Sequence, residues 1–560
     1  MKRPLVRAAI LAAMTLPFIA PLARPGWLQT HEGLSYPVRQ AELLRCWKDG
    51  MLSARWFPDL NYGQGYPFLS FYAPLLFYAA GALQELGASP VDALKTVTAL
   101  AALVRAAGVY RLARFALSPE AALVAAAVSL YAPYPARDVY IRGDHAEHLA
   151  LALLPWVLFA LLRLSRKREV RDVGLIVLTG GLLLFAHNIT ALFGALAMAG
   201  ASILAVRASE RPSAAARAAA AGMAGAALVT AFFWAPALYE TRFVQIDLMT
   251  RGDFDPLRHF VPPLDLFSRG LFPGRGESLP MSFELGYLVL GGTALGALTL
   301  LRDGHRVARR SEASAPGRSL GALAVGLVLV GLLLATPTGA PVYRAIPLLR
   351  FVQFPWRLLG FITLGGALLA GIAADRLVPA GRPRIVAAAV TILAAMALAR
   401  PLLGPKPNFP FPPWAMDLQA LRSRPWTTTL GEYLPLEETQ PQPPHRSPDG
   451  VVLEGAGRVT SVARRTGRWD FVVESEDSVG VVLADAYYPG WKVSAGGRPL
   501  VVGHVPQAGN LRFTVGPGRH EISARLACTP FRTASRGVST AAALIVAGAL
   551  ASSLARRRRA

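Results

Sequence analysis

The sequence predicts a polytopic α-helical membrane protein of about twelve spans, with a C-terminal extracytoplasmic β-sandwich domain. Three observations predict it. Apolar runs of about 20 residues, the length that crosses a bilayer, recur from residue 5 to residue 400 and once more near the end. The basic residues are not spread evenly but gather at alternate ends of these runs. From residue 451 the apolar pattern changes to period two, punctuated by glycine and proline pairs.

Composition agrees. Of 560 residues, 53% are hydrophobic and 17% charged, with a mean hydropathy of +0.38, against about 25% charged in a soluble domain. The net charge of +23 would indicate nucleic acid in a soluble protein. Here no zinc-ligand spacing, RNA-binding aromatic pattern or Walker loop accompanies it, so a nucleic-acid partner is excluded and the charge is read as topological.

The runs are 5–23, 91–110, 119–135, 147–162, 173–187, 189–206, 216–235, 284–301, 319–336, 356–374, 384–400 and 537–555. Met1-Lys2-Arg3-Pro4 and the run to Ala23 resemble a signal peptide, but no small-x-small cleavage site follows, and the run is expected to stay as the first span. Residues 66–87 are a thirteenth candidate, interrupted by Pro67, Pro74, Gln84 and Glu85. The charge distribution excludes it. With both termini inside and 66–87 left out, the inside segments hold 25 basic and 7 acidic residues, 18 of the net +23. A crossing at 66–87 would turn every later basic loop outward, so this stretch is expected to be an amphipathic or re-entrant helix at the outer surface. Arg556-Arg557-Arg558-Arg559 then reads as a cytoplasmic stop.

The domains expected are a multi-span membrane domain at 1–400, with a first external loop at 24–90; a Pro-rich segment and sandwich at 401–536; and a last span with its arginine tail at 537–560. Val451-Val452-Leu453, residues 469–473, 479–483 and 511–515 read as strands, with Gly496-Gly497 and Pro517-Gly518 as turns. Pro405, Pro407, Pro410, Pro412 and Pro413, then Pro441, Pro443 and Pro444, keep 404–448 from regular helix. Cys46 and Cys528 both fall outside in this topology; a disulfide and two free thiols both remain open.

Several ionisable groups stand at the outer mouths of spans, and none is expected mid-span, a distribution that fits surface chemistry better than transport. His31-Glu32 follows the first span. A carboxylate beside the membrane serves as general base when burial raises its pKa; the bland alternative is a solvated loop residue. Tyr140 to His148 contains Arg142, Asp144, His145 and Glu147. Asp144 and Glu147, three apart in a first helical turn, point the same way toward the positive helix end. They suit a divalent ion, a sugar hydroxyl or a basic acceptor; helix capping with an Arg–Asp pair is the plain alternative. His187-Asn188 sits between two spans with almost no loop, making either the turn or part of the same cavity. Arg350 and Arg357 flank an aromatic stretch at the outer interface, where a guanidinium fork suits phosphate. The arginines of the external loop 236–283, among them Arg242, Arg251 and Arg258, are a second candidate place for a phosphate. Tyr62 and Tyr66, among Gly63 and Gly65, are placed to stack on a sugar or to serve as interface aromatics.

These stretches together resemble a known family. RWFPDLNYGQGYPFLSFYAPL (55–75), YIRGDHAEHLALALLPW (140–156), AHN (186–188), FVQFPWRLLGF (351–361) and YYPGWKVSAGGRPL (487–500) resemble the YfhO-like bacterial membrane proteins. They are equally similar to the set labelled 6-pyruvoyl-tetrahydropterin synthase-related, and both sets are similar to the GT-C superfamily of membrane glycosyltransferases. The resemblance implies a GT-C-like fold in a bacterial inner membrane with its active site on the outer face. It implies a polyprenyl-phosphate-linked sugar donor, a glycan, lipid or protein acceptor outside the cytoplasm, and inversion at the sugar. Glu32 matches the loop carboxylate that acts as base, and Asp144 and Glu147 occupy the region of the assisting carboxylates. A divalent cation, Mg²⁺ or Mn²⁺, would sit at such carboxylates. His31, Tyr62, Tyr66, Arg142, His145, His187, Asn188, Arg350 and Arg357 are the substrate-binding candidates. A lipid or polysaccharide transporter and a non-catalytic envelope assembly protein are the alternative readings.

Overall fold

The computed structural model describes residues 4–267, 281–307, 315–439 and 449–559. Met1, Lys2, Arg3, Pro441, Pro443 and Pro444, named above, lie outside the described residues.

The helices in chain order are α1 (Pro4–Ile19), α2 (Ser35–Lys48), α3 (Phe68–Phe71), α4 (Leu75–Glu85), α5 (Pro90–Ala113), α6 (Pro119–Tyr131), α7 (Pro133–Arg137), α8 (His145–Arg163), α9 (Val170–Ala186), α10 (Asn188–Arg207), α11 (Pro212–Val229), α12 (Ala231–Tyr239), α13 (Tyr287–Val307), α14 (Ala315–Ala335), α15 (Ala340–Ala345), α16 (Leu359–Leu377), α17 (Arg382–Ala399), α18 (Leu418–Arg422) and α19 (Pro530–Arg559). Each of the twelve apolar runs carries a helix. Among the described residues eight of these are long and apolar enough to cross a membrane, nine if α11 and α12, bent by 68° at Thr230, count as one. Pro119–Tyr131 and Tyr287–Arg302 are shorter apolar helices.

Residues 66–87 form the short α3 and α4 rather than a span. Pro74 breaks the stretch, and α4, at 11 residues, is about 16 Å long. Gln84 is buried and receives the Gln40 side-chain amide at 2.6 Å, so α4 is packed on α2.

Helix α8 is central, with nearly all of its residues buried. It lies against α5, α9 and α10. Helix α16, also deeply buried, wedges between α13 and α14. Small residues permit that approach: a Cβ on Gly296 would stand 2.4 Å from the Leu369 carbonyl oxygen, and one on Gly365 2.6 Å from that of Ala324. Arg105 departs from the expectation that ionisable groups avoid the spans. It is buried within α5, and its Nε donates to Ser129 Oγ of α6 at 3.3 Å.

The C-terminal strands are β1 (Val451–Glu454), β2 (Arg458–Arg465), β3 (Arg468–Ser475), β4 (Val479–Ala486), β5 (Trp491–Ala495), β6 (Arg498–Leu500), β7 (Val502–His504), β8 (Asn510–Val515) and β9 (Gly518–Leu526). They build two antiparallel sheets, ordered β1-β4-β8-β7 and β2-β3-β9-β5-β6. Trp469, Val473, Val481, Leu483, Phe513 and Ile522 bury their side chains in the shared core. The four stretches read as strands are β1, β3, β4 and β8.

The aromatic run of the first loop seats this domain. Trp56 Nε1 donates to Asp485 Oδ1 at 2.8 Å, Arg55 Nη2 to the Ala527 carbonyl at 2.8 Å, and Ala486 N to the Gln64 carbonyl at 2.7 Å. Asn61 Nδ2 donates to Glu438 Oε1 at 2.8 Å. Beneath the YYPGW turn, Tyr488 donates to Glu240 Oε2 at 2.8 Å, and Arg532 of α19 clasps the same carboxylate. Cys46 is buried and Cys528 partly exposed, and both are free thiols.

Candidate functional site

The site is assembled by a turn that the sequence writes twice over. Before α8 the chain makes a π-helical turn, Asp138–Arg142, and Gly143 follows in the left-handed region at φ 83°. A Cβ at Gly143 would meet Thr30 Oγ1 at 2.3 Å, so only glycine satisfies both the backbone angle and the approach of the first loop. Across this contact His31 N donates to the Ile141 carbonyl at 2.9 Å and Glu32 N to that of Arg142 at 3.1 Å. The loop that carries Glu32 is thereby fastened to the segment that carries Arg142 and Asp144.

Asp144 caps α8: its Oδ1 accepts from Glu147 N at 3.0 Å and from the Tyr36 hydroxyl at 3.0 Å. Tyr36 is in turn hydrogen-bonded to Tyr72 at 2.9 Å. Oδ2 of Asp144 faces Arg142 Nη2 at 2.6 Å and Arg357 Nη1 at 3.2 Å. Glu147 Oε2 accepts from Arg142 Nη1 at 2.7 Å and Arg357 Nη1 at 2.6 Å, while its Oε1 accepts from the Tyr134 hydroxyl. Arg142 also pairs with Asp138 at 3.0 Å, and its guanidinium lies 4.7 Å over the Trp356 ring. The capping and Arg–Asp readings of this segment and its role as a charged cluster are thus the same arrangement. Three carboxylates and two arginines stand at the mouth of the most buried helix, each carboxylate with a cationic partner.

His187 joins them. Its Nδ1 caps α10 through Thr190 N at 3.3 Å, and its Nε2 lies 3.4 Å from Arg357 Nη1 and 3.8 Å from Asp144 Oδ2. His145 faces away from the carboxylates, between Thr98 Oγ1 at 3.2 Å and the rings of Trp27 and Tyr36.

Arg357 enters from a strained turn. Gln353, just before Phe354-Pro355, holds φ at 61° without being glycine, a conformation that persists where the surroundings impose it. Arg357 Nε is buried without a hydrogen-bond partner. The two interfacial arginines of the sequence are separated in space: Arg357 is buried in the cluster, while Arg350 is exposed.

Glu32 differs from the other carboxylates. Its side chain keeps 36% of its exposure, against 6% for Asp144 and 1% for Glu147, and its ion pair with Arg39 is long, 4.0 Å. Burial of its surroundings pushes its carboxyl above the ordinary value; Arg39 opposes this and the charge of Asp144 reinforces it. Burial also works to raise Asp144, but Arg142, His187 and Arg357 outweigh it and hold that carboxyl well below the usual range. His31 is exposed beside Glu32.

Three sequence candidates stand apart from the cluster. Tyr66 is fully buried, hydrogen-bonded to Thr428 Oγ1 at 2.6 Å and receiving Tyr433 N at 3.2 Å. Asn188 Nδ2 ties the end of α3 through the Phe71 carbonyl at 2.7 Å. Tyr62 is half-buried at φ 56°, its N–H bonded to the Arg424 carbonyl at 3.0 Å. Arg251 and Arg258, also considered for phosphate, are exposed and face Asp247 and Asp253.

Asp144, Glu147 and His187 offer donor atoms within 4.8 Å of one another, the one such trio among the described residues. A divalent ion would need them at about 2.0–2.2 Å. The point they share is taken by Arg357 Nη1, at 2.6, 3.2 and 3.4 Å from Glu147, Asp144 and His187. The residues therefore do not fit Mg²⁺ or Mn²⁺ while Arg357 holds this position.

The family model of the 6-pyruvoyl-tetrahydropterin synthase related domain, a membrane protein, matches residues 69–404. The chain belongs to that family. No curated protein matches it. Among solved structures, it is similar to arabinofuranosyltransferase AftD from Mycobacteria, with 20% identity over 71% of this chain and 26% of that one and a TM-score of 0.43. It is similar to the oligosaccharyltransferase AglB of Archaeoglobus fulgidus in complex with an inhibitory peptide and a dolichol-phosphate, with 12% identity, 77% and 60% coverage and a TM-score of 0.44. It is also similar to ArnT from Cupriavidus metallidurans bound to undecaprenyl phosphate, with 14% identity, 75% coverage of each chain and a TM-score of 0.37. The chain spans about a quarter of the length of AftD and less than two thirds of that of AglB.

Sequence reasoning missed Tyr36, Tyr72, Tyr134, Asp138 and Arg39. Asp138 carried a signal, a carboxylate four residues before Arg142, the spacing of one helical turn.

Proposed function

We propose that this chain is an inverting membrane glycosyltransferase that moves a sugar from a polyprenyl-phosphate donor to an acceptor outside the cytoplasm. The observation that carries the proposal is the unequal pair of carboxylate environments: one reachable carboxylate with a raised pKa, fastened beside carboxylates that are each ion-paired with buried arginines. Glu32 takes the proton of an acceptor hydroxyl. The freed oxygen attacks the anomeric carbon, the bond from that carbon to the phosphate oxygen breaks, and polyprenyl phosphate leaves with the electron pair. The proton on Glu32 passes to water. One displacement inverts the anomeric centre and needs no protein nucleophile. The leaving phosphate is already anionic, so its charge calls for cations rather than an acid. Arg350, exposed at the start of the turn, and the free Nε of Arg357 supply them. Asp144 and Glu147 act by positioning Arg142 and Arg357.

In this reading residues 1–400 form a membrane domain of eleven spans and 537–555 is the twelfth, with both termini cytoplasmic and the site and sandwich on the outer side of a bacterial inner membrane. The basic loops of the sequence support that orientation.

The test is transfer of radiolabelled sugar from polyprenyl-phosphate donors in membranes containing the protein, beside Glu32→Gln and Glu147→Gln. Label entering a lipid or polymer acceptor, and lost in Glu32→Gln with normal insertion, is expected. Full activity in that variant would remove Glu32 as base. Absence of transfer from every donor by folded protein would favour a transporter or an assembly role.

A further inference from the structure

The five-stranded sheet of the sandwich carries a feature unrelated to sugar chemistry. Arg465 of β2 is paired across the sheet with Arg468 of β3, Arg468 with Arg525 of β9, and Arg525 with Lys492 of β5. Directly opposed residues in antiparallel strands point to the same face. Four cations therefore form one row across four strands, about 4.8 Å from strand to strand. Like charges placed opposite one another destabilise a sheet, so the row is not there for the fold.

The row lies on the open face. Arg465, Lys492 and Arg525 are exposed, and Arg468 keeps 43% of its side-chain exposure. Lys492 and Arg525 line an open groove of about 840 Å³, together with Asp470, Ser494 and Ser523. Its counter-charges are two carboxylates, neither of them in the cationic row. Asp470, in the adjacent row, pairs with Arg468 at 2.5 Å and accepts from Ser523, and Glu521 stands one row further on.

The position of the row in the chain selects its partner. Arg465 ends β2, Arg468 begins β3, Lys492 is second in β5, and Arg525 is next to last in β9. All four are at the same end of the sheet, the end from which β9 enters α19 at Pro530, a candidate membrane span. Four residues separate Arg525 from that span, and the five steps to Pro530 cover at most about 18 Å of extended chain. A row of cations at this height faces the phosphates of a bilayer, where each basic residue is attracted to an anionic surface within about a Debye length.

We infer that the row Arg465–Arg468–Arg525–Lys492 is a docking rail for the headgroups of anionic phospholipids, holding the open face of the sandwich down on the bilayer. This does not depend on the proposed transfer reaction.

The test is native mass spectrometry of the full-length protein in neutral detergent, titrated with phosphatidylglycerol or phosphatidylcholine, beside the triple variant Arg465→Ser, Lys492→Ser, Arg525→Ser. Arg468 is left in place with Asp470. Expected is at least a tenfold loss of phosphatidylglycerol affinity in the variant, with phosphatidylcholine unchanged and millimolar inorganic phosphate leaving the bound lipid in place. The melting temperature should be equal or higher in the variant, because repulsion has been removed. Equal phosphatidylglycerol binding by both proteins, displacement by inorganic phosphate, or a lower melting temperature of the variant would each overturn the inference.

Discussion

The first loop and the mouth of α8 both bring carboxylates to one place, and they treat them in opposite ways. Asp144 and Glu147 each receive two guanidinium groups and a tyrosine hydroxyl. Glu32 has one ion pair, at 4.0 Å, and a third of its surface open. A carboxylate saturated with donors is stabilised as an anion and is a poor acceptor for a further proton; one held in a poorly solvated place with few donors is a good one. The pairing thus separates structural anions from a chemical one within a single site.

The largest effect that would break this division is on rate. Glu32→Gln should lower sugar transfer by about 10²–10⁴-fold, the usual worth of a general base, while leaving the melting temperature nearly unchanged. A stability loss as large as the activity loss would mean that Glu32 belongs with the structural carboxylates. Glu147→Leu should act the other way, costing about 3–5 kcal/mol in a denaturation experiment because it leaves Arg142 and Arg357 buried with fewer partners.

The pH dependence sharpens the same contrast. A base works deprotonated, and the Glu32 carboxyl is raised above 4.5. Transfer should therefore rise with pH through a midpoint above the ordinary carboxylate range. The Asp144 carboxyl is lowered, so it stays ionised throughout and contributes no limb above that range. A profile flat down to pH 4 would contradict the assignment.

Arg357→Ala should convert the trio Asp144, Glu147 and His187 into a metal site. Manganese paramagnetic resonance should show bound Mn²⁺ in the variant and little in the natural protein; strong binding in the latter, lost in His187→Ala, would reverse the conclusion. The smallest effect is expected at Tyr66→Phe: about 1 kcal/mol of stability from its hydrogen bonds at the sandwich seat, with transfer unaltered.

Much of the architecture was legible because a bilayer demands so much of a sequence. Each apolar run became a helix, and the charge bias kept α3 and α4 out of the count of spans. Strands β1, β3, β4 and β8 were legible from their Val, Leu and Phe content. Strands β2 and β9, Arg458–Arg465 and Gly518–Leu526, were not, since charged residues on the open face dilute their alternation. In the site, Arg142, Asp144, Glu147, His187 and Arg357 were visible as polar residues where apolar ones belong. Tyr36 and Tyr134 were not, because a tyrosine beside apolar residues looks like packing until its hydroxyl is seen to meet Asp144 or Glu147. The burial of Tyr66 against the segment that precedes the sandwich was equally hidden, because its partners Thr428 and Tyr433 lie more than 350 residues away.

The fastening of Glu32 to Arg142, described above in space, also has an extent in time. At a synthesis rate of about 5–20 residues per second, the first loop waits roughly 6–22 seconds for the segment it binds. Asp144 and Glu147 then wait roughly 10–40 seconds more for Arg357. During that interval Arg142 is the main counter-ion for three carboxylates at a helix mouth. The newly made protein therefore passes through a stage in which its first half is inserted but its charges are unbalanced, and premature termination between residues 150 and 350 should yield fragments that are cleared by proteolysis rather than retained.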